Sequence, residues 1–400
     1  MTFFTRNTRA KATKVVFALA ALSAAGCAAR APELQPPRPD STYGTQLVRG
    51  VTHQYRWYAS GPWAVHTVTV LPGACVAFRT AKANERSVGR ERSSTIAQRY
   101  AANSRVLATV NADFFSFEPP GISEGPQVAN SVLLKSEGHH REALEDRRLR
   151  LQPVFAIRQN GKPAVTFTRF GGVVRLGDQT FPLAGMNVRA RNDSAFVFTP
   201  FYGTTTPVDS SALELIVRNG MVAGVDSVAE GVAIPDGGMV IVLKGAARAS
   251  LGSFHPRAGA AWVGELAGLE RAREVVGGYP MLLQKGHAVH HDEPGLRPTF
   301  SDRRHPRAAI GIDRKGAVHI VAVDGRQPGH SDGMTLQELG DFLLAHGITD
   351  AMNLDGGGST TLIVDGHIVN RPSDASGERA VSNALLLIDQ SRAGACNGKR

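Results

Sequence analysis

The sequence is poor in cysteine and in aromatic residues. Only 3 of its 400 residues are cysteine, and 6% are aromatic. No C-x-x-C spacing occurs, so neither a zinc ribbon nor a thiol-redox site is predicted. The apolar stretch at residues 15–22 is shorter than the roughly 20 residues of a membrane-spanning helix. The remaining composition, 42% hydrophobic and 20% charged, is that of a globular protein with an ample core.

An acidic excess is also lacking, because 35 acidic residues face 45 basic ones and the formal net charge is +10. Much of the basic excess lies near the two ends of the chain, and elsewhere both signs are mixed. No basic helix with interleaved aromatic residues is present, so nucleic acid is not a predicted partner. The charge is compatible with a mild attraction to anionic substrates.

Residues 1–27 have the pattern of an export signal. A basic region precedes the apolar stretch at residues 15–22, and small residues lead up to Cys27. This resembles a bacterial lipobox, although Ala24 stands where that pattern usually has leucine. We expect an exported protein, either an outer-membrane-anchored lipoprotein lipidated at Cys27 or a protein released into the periplasm or the medium. The Pro-rich segment 28–45 is predicted to be a tether, so a membrane would be contacted only through the lipid anchor.

Glycine and proline are plentiful, with 43 and 22 residues, and short apolar runs recur between turn signals. This pattern predicts an α/β (α+β) fold, namely one β-rich catalytic domain over residues 46–390 with mixed sheets and a few short helices. Its core motifs lie within residues 100–388, and residues 391–400 form a C-terminal tail. The charged segment 116–150 is predicted to be an exposed excursion.

A few segments have helical patterns. The clearest begins at Thr335, which has capping-box spacing to Glu338, and ends before Gly347, a natural C-terminal cap. The predicted helices cover residues 335–346, 91–103 and 264–274.

The most unusual stretch is Asn-Leu-Asp-Gly-Gly-Gly-Ser-Thr-Thr at residues 353–361. It follows a predicted strand at residues 348–354 and leads into another at residues 360–364. Three consecutive glycines cost backbone entropy, so something must require an uncovered backbone, and an approaching substrate is one such requirement. A hairpin turn is the plainer alternative, since Asp-Gly is a common hairpin signal.

Other polar residues are candidates for a site. Asn111 and Asp113 follow a predicted strand and precede two phenylalanines, which is typical either of a site or of a capped turn. Histidines cluster at residues 139–140 and, with Asp292, at residues 287–291, but neither spacing matches a familiar metal template. No metal site is therefore predicted.

Taken in order, a set of short motifs resembles the phosphodiester glycosidase family, which includes the lysosomal uncovering enzyme. The set spans roughly residues 100–388, and its last third is the most specific. Asp113 departs from the family pattern, which often has glycine there. The matching motifs are Asn111-Ala112-Asp113-Phe114-Phe115, Gly277-Gly278-Tyr279-Pro280 with Leu282 and Leu283, Arg304-His305-Pro306-Arg307-Ala308-Ala309-Ile310-Gly311, Val323-Asp324-Gly325-Arg326, residues 331–336, residues 353–361 and Ser382-Asn383-Ala384-Leu385.

The resemblance implies a hydrolase that cleaves sugar-1-phosphate diesters of the alpha-N-acetylglucosaminyl phosphodiester type, in envelope or extracellular glycans. Breaking the bond between C1 and oxygen requires charge stabilisation on an oxocarbenium-like sugar, for which glycosidases use carboxylates. It also requires a partner for the phosphate, and the planar fork of arginine fits phosphate oxygens in pairs. The predicted catalytic residues are Asp324, Asp355, Arg326 and Arg307.

A second group of residues is predicted to bind the substrate, by holding sugar hydroxyls, orienting a carboxylate or donating to phosphate oxygens. The main-chain amides of a glycine turn can form such an anion-binding nest. No cofactor is required by this scheme, although an acidic pocket can accept Ca²⁺ or Mg²⁺. The predicted substrate-binding residues are Asn111, Asp113, Asn353, Gly356, Gly357, Gly358, Ser359, Thr360 and Asn383.

Two functions of different classes are compatible with these residues. The first is the exported glycosidase, whose partner is a phosphoglycan or another sugar-1-phosphodiester. The alternative is a non-catalytic phosphoglycan-binding or exopolysaccharide-assembly protein that uses the same pocket. Asp324 and Asp355 together favour the enzyme, because binding alone does not need two carboxylates beside a phosphate. A metal phosphodiesterase that cuts the P–O bond is a third, weaker hypothesis.

Overall fold

The computed structural model describes residues 35–117, 121–138, 151–190, 194–226, 231–252, 257–290 and 296–391. The chain from residue 34 onward forms one compact unit. Among the described residues, no helix has the length and the apolar character needed to cross a bilayer. The predicted signal and most of the C-terminal tail lie outside these residues, as do Cys27, His139, His140, His291 and Asp292.

The described residues form short strands and four short α-helices. Up to residue 157 the strands are β1 (Ser41–Val48), β2 (Val51–Tyr58), β3 (Trp63–Val70), β4 (Val76–Lys82), β5 (Glu91–Arg92), β6 (Val106–Asn111), β7 (Gln127–Ala129), β8 (Val132–Lys135) and β9 (Gln152–Ile157). The next are β10 (Pro163–Thr168), β11 (Phe170–Leu176), β12 (Gln179–Met186), β13 (Ala195–Phe198), β14 (Leu213–Arg218), β15 (Met221–Asp226), β16 (Met239–Leu243), β17 (Ala260–Leu266) and β18 (Glu274–Gly277). The last are β19 (Met281–Gln284), β20 (His287–Ala288), β21 (Arg307–Asp313), β22 (Val318–Val323), β23 (Ile348–Asn353), β24 (Leu362–Val364), β25 (His367–Ile368), β26 (Ala380–Val381) and β27 (Asn383–Asp389). The helices are α1 (Ser93–Ala101), α2 (Gly245–Ala249), α3 (Pro298–Ser301) and α4 (Leu336–Ala345).

These strands make four larger sheets and a two-stranded ribbon of β26 and β5. An eight-stranded sheet has the order β1-β2-β3-β22-β21-β23-β19-β20, and a five-stranded sheet has the order β25-β24-β6-β27-β4. A second five-stranded sheet runs β10-β9-β18-β7-β8, and a seven-stranded sheet runs β15-β14-β16-β13-β12-β11-β17. Among the described strand pairs, β12 and β13 are the parallel one.

The fold is mostly β, with 47% of the described residues in strands and 11% in helices. The prediction of a β-rich domain with a few short helices is confirmed, but its α/β (α+β) class has to be corrected to mostly β. Antiparallel neighbours are joined by short turns, whereas the parallel strands of an α/β fold require crossover connections that are usually helical. The many glycine and proline turns are the sequence counterpart of this architecture.

The main hydrophobic core lies between the eight-stranded sheet and the sheet of β6 and β27. Ile310 and Ile320 come from the first sheet and Val110 and Leu385 from the second, and all four are buried. Helix α4 packs its leucines, such as Leu339, on the other face of the eight-stranded sheet. The two sheets therefore hold their strand ends in fixed relative positions.

The predicted site residues lie at one end of these two sheets. Asn111 ends β6 and pairs with Ala384, directly after Asn383 at the start of β27. In the other sheet, Asn353 ends β23 and pairs with Ala309 near the start of β21. Because these pairs are antiparallel, the end of β6 lies beside the start of β27, and the end of β23 lies beside the start of β21.

The structure confirms the helix predicted at residues 335–346. Thr335 Oγ1 accepts from the Glu338 N–H at 3.0 Å, and the Glu338 side chain accepts from the Thr335 N–H at 2.9 Å. This is a complete capping box. Gly347 follows with φ +81°, the left-handed conformation that a glycine cap supplies.

Other boundaries differ from the predictions. Residues 264–274 are not helical, since β17 runs to Leu266 and β18 begins at Glu274. Strand β1 begins at Ser41, inside the segment predicted as a tether, and pairs with β2. Within the predicted excursion 116–150, the described residues 121–138 include β7 and β8 in a sheet. In each case long-range strand pairing overrides a local composition signal.

Candidate active site

The glycine turn between β23 and β24 is packed tightly from several sides. Residues Gly357–Ser359 form a single 3-10 turn, and Gly357 has φ +60°. The Gly357 N–H donates to the Pro306 carbonyl oxygen at 2.9 Å, so this amide is not available to a phosphate. A Cβ at Gly358 would overlap the carboxylate of Asp374 and the guanidinium of Arg379. Close packing of the protein itself therefore explains why the turn needs glycine.

Asp355 is held at the entry to this turn. Its N–H donates to the Ala112 carbonyl oxygen at 2.7 Å, and its own carbonyl oxygen accepts from Asn111 Nδ2 at 2.6 Å. Burial raises the pKa of the Asp355 carboxyl to about 7, against the opposing effects of the Ser359 hydrogen bond and the Arg379 charge. The residue as a whole is partly exposed. Its carboxyl group, hydrogen-bonded to Ser359, therefore has a pKa near neutral pH.

Asp113 lies beneath the same region and is buried. Its N–H donates to Asn383 Oδ1 at 2.9 Å, and its Oδ2 accepts from the Gly125 N–H at 2.6 Å. Burial raises the pKa of Asp113 to about 6, while the charge of Lys135 acts in the opposite direction. The negative charge of Asp113 in turn contributes to the raised pKa of Asp355. The two carboxyl groups are therefore electrostatically coupled.

Two buried lysines near Asp113 were not predicted. Lys135 Nζ donates to the carbonyl oxygens of Gly125 and Ser136 at 2.5 Å each, and burial lowers its pKa to about 8. Lys82 Nζ donates to the Gly121 carbonyl oxygen at 3.1 Å, and burial lowers its pKa as well. Lysine is almost never fully buried, so no signal in the sequence distinguishes these two from surface lysines.

Asp324 has its carboxylate engaged by other protein groups. Its Oδ2 is 2.9 Å from His330 Nε2, and its Oδ1 accepts from Asn370 Nδ2 at 3.1 Å and from the Arg371 N–H at 2.8 Å. Asn370 Nδ2 also reaches the Thr360 carbonyl oxygen at 3.1 Å. Asp324 therefore connects to the glycine turn through Asn370 and is itself almost completely buried.

The two predicted arginines differ in their surroundings. Arg307 is buried, and it donates from Nε to the Met334 carbonyl oxygen at 2.9 Å and from Nη2 to the Phe300 carbonyl oxygen at 2.6 Å. Burial lowers the pKa of Arg307 to about 10. Arg326 is exposed, and a Cβ at Gly357 would lie 3.1 Å from its Nη2. Within the described residues it forms no ion pair, so its guanidinium is the better placed for an anion.

The predicted asparagines hold the backbone around the site. Asn353 Nδ2 donates to the Tyr279 carbonyl oxygen at 2.7 Å, and Asn383 Nδ2 donates to Gln127 Oε1 at 3.1 Å. Asn111 Oδ1 accepts from the Thr361 N–H at 3.0 Å. Buried oxygens without a hydrogen-bond partner in the described structure include Asn353 Oδ1, Asp113 Oδ1 and Thr360 Oγ1.

The structure thus brings most of the predicted residues to one place. Asn111 bonds to Asp355 and Thr361 at the two ends of the turn, and Asp113, two residues after Asn111, bonds to Asn383. Asn353 and Asp355 precede the turn in the chain. The turn itself contains Gly356, Gly357, Gly358, Ser359 and Thr360, and Arg307 follows Pro306 beneath it. Sequence reasoning missed Asp374 and Arg379, which form a two-point ion pair against Gly358, with 2.8 Å between Arg379 Nε and Asp374 Oδ2.

A metal-binding arrangement in this protein would consist of histidine, cysteine, aspartate or glutamate side chains. Among the described side chains, no group of three such residues is arranged to hold a metal ion. His290 is buried, whereas His291 and Asp292 of the same sequence cluster lie outside the described residues.

Comparison with known proteins supports the resemblance seen in the motifs. Residues 211–388 match the family model described as phosphodiester glycosidase, which confirms the resemblance. The human N-acetylglucosamine-1-phosphodiester alpha-N-acetylglucosaminidase is 43% identical over 82 residues, which are 20% of this chain and 16% of that protein. The chain therefore matches only a small part of that relative's length, and the motif at residues 111–115 lies outside the family match.

Two solved structures are similar over most of the chain. A hypothetical protein from Synechocystis has a TM-score of 0.73 at 22% identity, covering 87% of this chain and 64% of that one. A protein of Burkholderia pseudomallei K96243, described as exported, has a TM-score of 0.67 at 23% identity, covering 82% of this chain and 74% of that one. At such identities the likeness concerns the fold alone.

Proposed function

We propose that this chain, whose residues 211–388 match the phosphodiester glycosidases, hydrolyses sugar-1-phosphate diesters of the alpha-N-acetylglucosaminyl phosphodiester type. One observation carries the proposal. Asp355, a partly exposed residue whose carboxyl group has a pKa of about 7, and Arg326, which has no ion-pair partner among the described residues, lie at the same glycine turn. Acidic groups with pKa values near the working pH are typical of catalytic sites.

The reaction breaks the bond between the sugar C1 and the bridging oxygen. Water adds its hydroxyl group to C1, and the bridging oxygen leaves with the phosphorus as part of a phosphomonoester. The remaining proton of the water goes to that phosphomonoester or to solvent. Charge develops on the sugar as the bond breaks, and an ionised Asp355 stabilises it, as carboxylates do in other glycosidases. Because its pKa lies near 7, the ionised form is well populated at neutral pH and is lost on acidification.

The phosphate is assigned to Arg326, whose fork can donate to two phosphate oxygens. Arg307 lies deeper, donates to main-chain carbonyl oxygens, and contributes positive charge from below. Asp324 was predicted to act on the sugar, but its engagement with His330, Asn370 and Arg371 favours a different role. We propose that Asp324 instead positions the glycine turn, through its hydrogen bond with Asn370.

The alternative is a non-catalytic phosphoglycan-binding or exopolysaccharide-assembly protein. A site that only binds a phosphate gains nothing from a carboxylate beside it, because like charges repel. The coupled carboxyl groups of Asp355 and Asp113 therefore favour hydrolysis. No cofactor enters this scheme, and Ca²⁺ or Mg²⁺ binding has no support among the described side chains.

The test uses the purified chain with a panel of sugar-1-phosphodiesters in water labelled with oxygen-18. The glycosidase proposal expects the label on the sugar C1 hydroxyl. Label on the phosphate would mean P–O cleavage and a phosphodiesterase instead. Tight binding of the panel with no turnover at any pH between 5 and 8 would leave the binding protein as the function.

Export and anchoring at Cys27 are part of the same proposal. They rest on the signal-like residues 1–27 and the lipobox-like run before Cys27. An exported enzyme would meet phosphoglycans of the envelope or the medium. Mass spectrometry of the mature N-terminus should find a diacylglycerol-modified cysteine, and an unmodified N-terminus would exclude the anchor.

A further inference from the structure

We infer that His305 is a positioning residue, whose neutral ring holds the guanidinium of Arg326 against the glycine turn. Under the proposed function, this is where the phosphate of the substrate binds. The role belongs to the ring nitrogen that faces Arg326, and it does not require His305 to touch the substrate.

The contacts of the ring define its protonation state. Arg326 Nε lies 3.3 Å and Arg326 Nη2 lies 3.1 Å from His305 Nδ1. A guanidinium only donates, so Nδ1 must carry a lone pair. The other ring nitrogen, Nε2, lies 3.0 Å from the carbonyl oxygen of Thr299, which only accepts. The partners on both sides therefore require the neutral Nε2–H tautomer.

The backbone around this contact is locked. Arg326 has φ +59°, a left-handed conformation that is uncommon outside glycine and often marks functional sites. Its N–H donates to the Asp332 carbonyl oxygen at 3.2 Å, and the main chains of His305 and Met334 exchange hydrogen bonds of 3.2 and 3.0 Å. A Cβ at Gly325 would lie 2.9 Å from the His305 carbonyl carbon. The two side chains therefore start from fixed points.

The guanidinium of Arg326 is directed at the turn by this arrangement. A Cβ at Gly357 would lie 3.1 Å from Nη2 and 3.3 Å from Nη1, so both terminal nitrogens lie beside the bare backbone. No carboxylate pairs with Arg326 in the described part of the chain. An oxyanion, such as the singly charged phosphodiester of the substrate or the divalent phosphomonoester that leaves, is the kind of ligand that such a fork binds.

A neutral anchor serves this purpose better than a carboxylate. An aspartate in place of His305 would orient the arginine but would also compete with the phosphate for its charge. The pKa of His305 is lowered, chiefly by burial and further by Arg307, Arg326 and Arg303, against the opposing hydrogen bond to Thr299. The ring therefore stays an acceptor at neutral pH while leaving the charge of Arg326 free.

The test measures sulfate binding by calorimetry, because sulfate is a stable divalent oxyanion and its binding does not depend on turnover. Arg326→Ala should abolish binding at the site. His305→Gln, whose amide group reaches the Nε2 position, should weaken sulfate about tenfold, as losing a hydrogen bond to a charged group typically does. His305→Asn, whose Oδ1 lies near the Nδ1 position, should stay within about threefold of the wild type. The matched control is His287→Gln, on the exposed strand β20.

Two results would overturn the role of His305: wild-type sulfate affinity in His305→Gln, or equal losses in His305→Asn and His305→Gln. Should His305→Gln not fold, nitrogen-15 NMR of the wild-type ring decides the matter. We expect an unprotonated Nδ1 and a protonated Nε2, and a relaxed tautomer balance in Arg326→Ala. A protonated Nδ1 in the wild type contradicts the role. If the sulfate pattern holds but no sugar-1-phosphodiester is cleaved, the proposed function alone fails.

Discussion

Asn111 Nδ2 donates to the main-chain carbonyl oxygen of Asp355 at 2.6 Å, while Asn111 Oδ1 accepts from the Thr361 N–H at 3.0 Å. One buried amide group thus ties the entry of the glycine turn to its exit. Asn111 is the last residue of β6, so the turn is fastened to the opposite sheet. The position of the Asp355 carboxyl group depends on this link.

Replacing Asn111 by alanine should destabilise the protein by about 1–3 kcal/mol, because two buried main-chain groups lose their partner. Urea denaturation followed by circular dichroism measures the free energy of unfolding. Asn103→Ala, at an exposed position, is the control and should change it by less than about 0.5 kcal/mol. Equal stability of the two variants would mean that the link does not hold the turn.

Asp355→Asn keeps the shape of the side chain and removes its charge. If Asp355 stabilises the charge that develops on the sugar, kcat should fall by about a hundredfold or more. KM should change little, because the charge matters mainly in the transition state. Steady-state kinetics on one sugar-1-phosphodiester gives both constants, with Asp236→Asn as an exposed control. Full activity of Asp355→Asn would remove this carboxylate from the mechanism.

The same carboxyl group makes stability depend on pH in a defined direction. Its pKa is raised in the folded state to about 7 from an ordinary value of 3.8, so the folded protein holds a proton that the unfolded chain releases. Stability should therefore decline as pH rises from about 4 to about 7. Asp113, with a pKa of about 6, contributes the same trend.

Asp355→Asn should flatten part of this decline, because asparagine does not titrate. The measurement is the urea midpoint at several pH values between 4 and 7 for the wild type and the variant. The gain of the variant over the wild type should grow with pH, whereas Asp236→Asn should follow the wild type throughout. A constant difference between variant and wild type would show that Asp355 has an ordinary pKa.

The sequence allowed good predictions where the signal is local. The capping box of Thr335 and Glu338 and the cap at Gly347 define α4 without help from the rest of the chain. The strand before the glycine turn was predicted correctly as a short segment between Gly347 and the turn, with Asn353 and Asp355 as the polar groups at its end. Asn111 and Asn353 likewise end strands and Asn383 begins one, so the three asparagines lie at one end of the two sheets.

The remaining features depend on contacts between distant parts of the chain. In the sequence, Lys135 cannot be distinguished from a surface lysine. It is buried near Asp113 because it ends β8, which is paired within a sheet. Residues 264–274 have a helical composition, yet β17 and β18 are held in two different sheets by their neighbours. Asp324 was predicted to be catalytic because it follows a strand and precedes glycine. Its hydrogen bond with Asn370 forms only in the folded chain, where the loop after β25 lies beside Asp324.

The role of Asp324 can be separated from that of Asp355 by matched substitutions. Asp324→Asn keeps an acceptor for the Arg371 N–H and for Asn370 but removes the charge that faces His330. A positioning residue should tolerate this with a loss in kcat/KM of about tenfold, clearly less than the loss in Asp355→Asn, together with a lower unfolding free energy. Kinetics and urea denaturation on the two variants and on their double variant provide the comparison. If Asp324→Asn lost as much kcat as Asp355→Asn at unchanged stability, Asp324 would belong with the reacting carboxylates, because a purely positioning role acts through the fold.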